Sequence, residues 1–294
     1  MYNSVKYFIC IIIFLIFFAC SSNSNSNIET VNGYKLKYYN VSGDTNKVHG
    51  NCILNLNILA KDENQKVIFS SNFTGLNGVS SFYYDSSVSK SPLNDILLNS
   101  FSGDSLSFEM LSTTFYKSLF DKSFSNIYSS KPSLLNIHLK ILGYNNYKDQ
   151  MIFHNKIENL AQIKEDELLN FQRKIWDIKY LNIFKSRGLY AIKISSEKTF
   201  LPVNDSNQNH IILDYSMHDL YGRKIYKTPF LKPEYYEKNK DGQLLDGFQI
   251  LIENFNSGDS IIAIIPSDLL FGSKGSFANQ IPPYSSLKVN LKIK

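Results

Sequence analysis

A fixed spacing runs through this chain. Gly33 and Gly188 lie 155 residues apart, as do Gly103 and Gly258, and each pair sits in a matching local pattern. Gly33-Tyr34-Lys35-Leu36-Lys37-Tyr38 alternates apolar and basic residues and reads as a first strand, as does Gly188-Leu189-Tyr190-Ala191-Ile192-Lys193-Ile194. Leu54, Leu56, Ile58 and Ala60 on one face are answered by Ile211, Leu213, Tyr215 and Met217. Both runs end in a turn, Asp62-Glu63-Asn64-Gln65 and Asp219-Leu220-Tyr221-Gly222, and resume as Val67-Ile68-Phe69-Ser70 and Lys224-Ile225-Tyr226-Lys227. Phe101-Ser102-Gly103-Asp104-Ser105 recurs, with one residue inserted, as Phe255-Asn256-Ser257-Gly258-Asp259-Ser260. The closing strands match too, Leu135, Ile137, Leu139 and Ile141 against Leu287, Val289, Leu291 and Ile293.

An offset sustained over several elements marks a repeated unit, so two tandem domains of one fold are expected. Each has strands, one short helix (around Leu93 to Ser100, and Leu244 to Phe255) and further strands. In the second helix Leu244, Phe248, Leu251 and Phe255 recur at helical spacing, and a curved antiparallel sheet wrapped over such an amphipathic helix is an α+β fold. The length of 294 residues allows one large domain or about two of average size.

Between the repeats, roughly residues 155 to 185, the pattern changes. Ile157, Leu160, Leu168, Phe171, Ile175 and Ile178 fall mostly three or four apart among charged residues, which predicts a helix. Its apolar stripe, including Trp176, needs a partner surface: one or both domains, or a second copy of the chain in a homodimer. The expected organisation is 1–19 signal peptide, 20–32 Ser/Asn-rich tether, 33–150 first domain, 151–186 helical linker and 187–294 second domain.

The N-terminus supports export. Lys6 precedes an apolar run from Tyr7 to Cys20, short for a bilayer span and of the length of a secretory signal, and Ser21 to Asn27 is a polar tract that reads as a tether. Ala19 before Cys20 resembles a bacterial lipobox, with Phe17 where Leu is usual, which makes Cys20 the expected lipidation site. A signal-anchor with an incidental cysteine is the other reading. Cleavage there leaves Cys52 as the only thiol, so no intramolecular disulfide is expected, and its apolar neighbours Ile53 and Leu54 make it a buried inert thiol.

A net charge of +5 comes from scattered basic residues, so nucleic acid is not an expected partner. The histidines (His49, His138, His154, His210, His218) have no metal-ligand spacing, and no cofactor is expected. Hydrolase signatures of the G-x-S-x-G and H-E-x-x-H kinds are absent.

The last 50 residues carry a recognisable order: Gly247-Phe248, Gly258-Asp259, the apolar run Ile261 to Pro266, Leu270-Phe271-Gly272, Gly275, Ile281-Pro282-Pro283, and the closing strand. This resembles the C-terminal half of an FKBP-type peptidyl-prolyl cis-trans isomerase domain. The whole chain is similar to the tandem FKBP-like lipoproteins of gliding bacteria. The resemblance implies a substrate pocket made by Tyr215, Ile225, Tyr226, Leu244, Leu245, Phe248, Phe271, Ile281 and Val289. Phe248 stands where the family usually has Trp as the pocket floor, and Leu245 where a backbone N–H holds a substrate carbonyl. Tyr226 stands where active members place Asp, and Phe271 where a Tyr hydroxyl bonds the ligand. The first domain fits less well, with Pro92-Leu93 for Gly247-Phe248, Tyr116-Lys117 for Phe271-Gly272, Lys131-Pro132 as a remnant of I-P-P and Ile58 as the counterpart of Tyr215.

What the resemblance implies is a lipid-anchored folding factor of the bacterial cell envelope, facing the periplasm or cell surface. It would isomerise X-Pro bonds in proline-containing polypeptide clients. The alternative is a non-catalytic FKBP-fold binding or chaperone module for envelope machinery.

Overall fold

The structure is a computed structural model that describes residues 28–41, 51–84, 91–119, 132–197, 210–229, 234–237 and 242–294. The signal segment, Cys20 and Lys131 lie outside the described residues. Among those described, no helix is long and apolar enough to cross a membrane.

Two antiparallel sheets of seven strands each make an α+β protein. The first holds β1 (Ile28–Val31), β2 (Tyr34–Asn40), β3 (Cys52–Lys61), β4 (Val67–Ser70), β5 (Ser80–Tyr84), β6 (Ser105–Leu111) and β7 (Leu134–Asn145). The second holds β8 (Phe184–Ser186), β9 (Leu189–Ser196), β10 (His210–Asp219), β11 (Lys224–Lys227), β12 (Glu234–Glu237), β13 (Asp259–Ile265) and β14 (Leu287–Ile293). Their orders, β1-β2-β6-β7-β3-β4 and β8-β9-β13-β14-β10-β11, are the same topology. In both, the outer edge is split, with β4 and β5 sharing β3 and β11 and β12 sharing β10.

The turns that announced the repeat have matching geometry. Gly33 and Gly188 adopt φ of 84° and 80°, and Gly103 and Gly258 φ of 93° and 91°, backbone that favours glycine. Both Gly103 and Gly258 donate N–H at 2.8 Å to the closing strand, at Ile141 O and Ile293 O. Asp104 and Asp259 each accept from the N–H three residues back, of Phe101 at 2.8 Å and Asn256 at 3.0 Å. Asp62 and Asp219 each accept two N–H bonds through Oδ1, closing the turns into β4 and β11.

The helices are α1 (Ser71–Thr74), α2 (Pro92–Leu98), α3 (Ser112–Leu119), α4 (Tyr147–Lys179) and α5 (Asp246–Asn254). Helix α5 lies on the concave face of the second sheet, burying Phe248, Ile250 and Leu251 against Leu213, Val289 and Leu291. Gly247 permits the approach, because a Cβ there would stand 2.5 Å from Ile265 Cγ2 and 3.2 Å from the Leu269 carbonyl.

Three boundaries differ from expectation. The expected tether ends in β1, whose Ile28 and Val31 pair with Lys37 and Tyr34 across a turn that Asn32 and Gly33 make at positive φ. The helix starts at Tyr147, capped by the Asn146 side chain accepting the Asp149 N–H, and ends at Lys179. The last part of the expected linker is β8, the edge strand of the second sheet.

At 33 residues, about 50 Å, α4 is the longest element. Gln150 ties its start to the first domain by exchanging hydrogen bonds with Asn55. Farther along, Leu169 and Trp176 pack on Ile192 and Ile264, on the back of the second sheet. Glu165 accepts from the Ser267 N–H at 2.9 Å, the Ser267 hydroxyl at 2.8 Å and the Ser286 hydroxyl. This cover explains why β13 reads as an apolar run rather than an alternation, since a sheet buried on both faces needs apolar residues on both. The opposite flank of α4 leaves Ile152, Leu160, Ile163, Phe171 and Ile178 in solvent.

A C-terminal fragment from Ser186 should therefore be less stable than one from Tyr147. It exposes Ile192 and Ile264, at about 1.5–3 kcal/mol per side chain, a deficit of about 3–6 kcal/mol. Urea unfolding followed by circular dichroism measures it, and equal midpoints would show that α4 is a passive strap.

Candidate active site

Strand pairing brings the site together. Tyr226 lies opposite Met217, Glu234 opposite Leu213 and Tyr236 opposite Ile211, so these side chains share one face of the sheet with Tyr215. Thr228, just past β11, holds Tyr215 from both sides. Its N–H donates to the Tyr215 carbonyl at 2.9 Å and its Oγ1 accepts the Tyr215 N–H at 3.1 Å. Phe248 of α5 meets the Tyr215 ring edge-on, with centroids 4.8 Å apart at 63°.

The result is a cavity of about 250 Å³ lined by Tyr215, Met217, Tyr226, Glu234, Tyr236, Gln243, Leu244, Leu245, Phe248, Phe271 and Asn279. Six of the nine pocket residues expected from sequence line it: Tyr215, Tyr226, Leu244, Leu245, Phe248 and Phe271. Ile225 is half-buried at the edge of the core, while Ile281 and Val289 are buried in the core and are not part of the lining. Ile281 has a role in the rim, where its N–H and carbonyl pair with Ser276. Gly275 makes that possible, since a Cβ there would lie 2.5 Å from the Ile281 carbonyl.

Sequence reasoning missed the carboxylate. Glu234 accepts from the hydroxyls of Tyr215, at 2.9 Å, Tyr226 and Tyr236. Position 226, where the FKBP resemblance implies an acid, carries a phenol, and the acid stands on the edge strand β12. The available signal was Glu234-Tyr235-Tyr236-Glu237, in which Glu and Tyr two apart share a face. Burial first, and then the bond to Glu234, push the Tyr226 and Tyr236 phenols up to about 12, and the same causes raise Tyr215.

A side-chain amide and the start of α5 belong to the same wall. Gln243 Oε1 accepts the Glu237 N–H at 3.1 Å, which fixes the amide orientation and leaves Nε2 buried with no partner among the described residues. Leu245 caps α5 without a side-chain hydrogen bond, and the N–H groups of a first helical turn have no intrahelical acceptor.

The equivalent face of the first domain has lost this chemistry. By strand register Ile58, Phe69, Ser80 and Phe82 stand where Tyr215, Tyr226, Glu234 and Tyr236 stand in the second. Phe115 and Tyr116 of α3 are buried in its core, Phe115 edge-on to Phe69 at 5.8 Å, and Phe277 from the other domain lies 6.2 Å from Phe69. A further cavity, of about 260 Å³, lies between the domains and α4, but its polar groups serve docking. Arg223 there bonds Asp219 and the Gln280 carbonyl, each at 2.9 Å, and lies 3.9 Å from the Phe73 ring.

Fold and site thus define a two-domain α+β protein with an aromatic-lined cavity of about 250 Å³ in its second domain. No protein-family profile matches the chain, and no curated protein matches it in sequence. Among solved structures it is similar to a peptidyl-prolyl cis-trans isomerase from Pseudomonas syringae, at 14% identity and TM-score 0.36, over 46% of this chain and 92% of that one. It is similar to the three FKBP domains of wheat FKBP73, at 10% identity and TM-score 0.32, over 91% and 97%. FkpA from Escherichia coli matches at 19% identity and TM-score 0.35, over 50% and 68%.

The tyrosine–carboxylate cluster sets a pH dependence. Tyr226 and Tyr236 hold their protons more tightly when folded, from 10.0 to about 12, so their contribution is complete below pH 10 and is lost as pH climbs toward 12. Ultraviolet absorbance titration should show late-ionising tyrosines in the native protein, and Glu234→Ala should move them down. An unchanged titration in the variant would mean that Glu234 does not hold them.

Proposed function

We propose that the second domain is an FKBP-type peptidyl-prolyl cis-trans isomerase acting on exported polypeptides. The observation that carries this reading is the aromatic cleft over Phe248, with one carboxylate and one amide donor that has no partner among the described residues at its wall. Rotating an X-Pro bond meets a barrier of about 18–20 kcal/mol set by amide resonance. The twisted amide has lost that resonance and is less polar, so a water-poor aromatic wall favours it over the planar form. Gln243 Nε2 and the Leu245 N–H would hold flanking carbonyls, and Gln243 would stand in for the hydroxyl that Phe271 lacks. The first domain, with Ile58, Phe69, Ser80 and Phe82 in place of the tyrosines and the acid, would act as scaffold or client-binding module.

A non-catalytic binding module is the second reading, favoured by the three phenols that already occupy Glu234. An isomerisation assay on one proline peptide separates the two. Wild type should accelerate the exchange and Phe248→Ala should abolish it, with folding checked by circular dichroism, because removing a buried ring costs about 3–5 kcal/mol. A folded wild type no faster than the uncatalysed peptide would leave the binding module.

Attachment to the cell envelope through lipid on Cys20 belongs to the same proposal, on the strength of the Ala19-Cys20 junction and Ser/Asn tether. The apolar flank of α4, where Phe171 is 59% and Ile178 88% exposed, is where a second copy would dock. Cys20→Ser should take up no labelled fatty acid and should sediment at twice the monomer mass. Labelling equal to wild type sinks the anchor, and a monomer sinks the dimer.

A further inference from the structure

We propose that the cleft selects peptides carrying lysine or arginine beside the proline, with Glu234 as the group that reads the cation; this rests on the isomerase reading above. Of the described residues that line the cavity, Glu234 alone is charged. No lysine, arginine or histidine among the described residues comes within ion-pairing distance of it. The three bonds it receives are from neutral phenols, which orient the carboxylate and leave its charge in place. A carboxylate has about four acceptor sites, so three phenols leave about one open.

The phenols also bring rings. Tyr215 and Tyr226 have centroids 5.2 Å apart, and Phe248 and Tyr236 complete the wall. A cation entering such a site meets the negative faces of aromatic rings as well as the carboxylate. A neutral side chain gains only the apolar contact, and an acidic one adds a second negative charge in a poorly hydrated space. Peptide carbonyls are acceptors like the carboxylate, so they would seek the Gln243 side-chain amide and the N–H groups at the start of α5, leaving Glu234 to a donor cation. Lysine suits the geometry, since its four-carbon stem can lie along the rings while its ammonium reaches the carboxylate.

Glu234→Gln keeps an acceptor and the side-chain volume while removing the charge. Isomerisation kinetics of the full-length protein in mild detergent would compare Ala-Lys-Pro-Phe, Ala-Ala-Pro-Phe and Ala-Glu-Pro-Phe. The lysine peptide should exceed the alanine peptide by roughly tenfold in kcat/KM, about 1.4 kcal/mol, with the glutamate peptide slowest. Glu234→Gln should bring the three together, so that the ratio of the lysine to the glutamate peptide falls toward one within the variant, whatever its overall rate. Should that variant fail to fold, salt serves on the wild type: raising it from about 0.05 to about 0.5 M should shrink the lysine preference and spare the alanine peptide. Equal turnover of all three peptides by wild type overturns the selectivity and leaves the isomerase. A lysine preference that survives Glu234→Gln, or that ignores salt, also overturns it. Turnover of none overturns both.

Discussion

The cleft exists because the second domain's helix can lie flush against its sheet at one residue. Gly247 puts bare backbone against Ile265 and the Leu269 carbonyl, where any Cβ would force the helix away. That contact fixes the height of Phe248 beneath Tyr215 and the place of the Leu245 cap, and so both floor and rim follow from a missing side chain. The first domain has Pro92 at this position, and the cavity beside its Leu93, of about 260 Å³, is lined by Leu54, Leu56 and Phe82 with no acid among its described lining residues.

The two domains also show how polar groups in a cleft come and go together. Tyr215, Tyr226 and Tyr236 bring three hydroxyls under a sheet, and Glu234 accepts all three. Removing the acid alone would strand the hydroxyls at about 1–3 kcal/mol for each one left unsatisfied. In the first domain Ile58, Phe69 and Phe82 have no hydroxyls and Ser80 replaces the acid, a consistent apolar solution on the same backbone.

The repeat was legible because its turns use residues whose backbone or side chain permits little else, such as Gly258 at positive φ and Asp219 closing its own turn. The core faces followed from period two, and the long helix from its three-and-four spacing. The start of that helix was missed because Tyr147 to Phe153 reads as neither face of an amphipathic helix until Gln150 is seen to be buried by Asn55. Glu234 was missed for a different reason. It sits on a strand of four residues whose partner and register are fixed only when the sheet closes.

One loop serves both domains. Between Ser276 and Ile281, Phe277 is inserted beside Phe69 of the first domain while Asn279, two residues on, forms part of the cleft wall in the second. Gln280 between Asn279 and Ile281 is held from both sides, its carbonyl by Arg223 and its amide by the Ile68 carbonyl at 3.5 Å. The cleft's far wall is thus buttressed from outside its own domain, as an arch is by the masonry next to it. The first domain, which carries Ile58, Phe69, Ser80 and Phe82 in place of the tyrosines and the acid, thereby keeps a part in the shape of the cleft that has them.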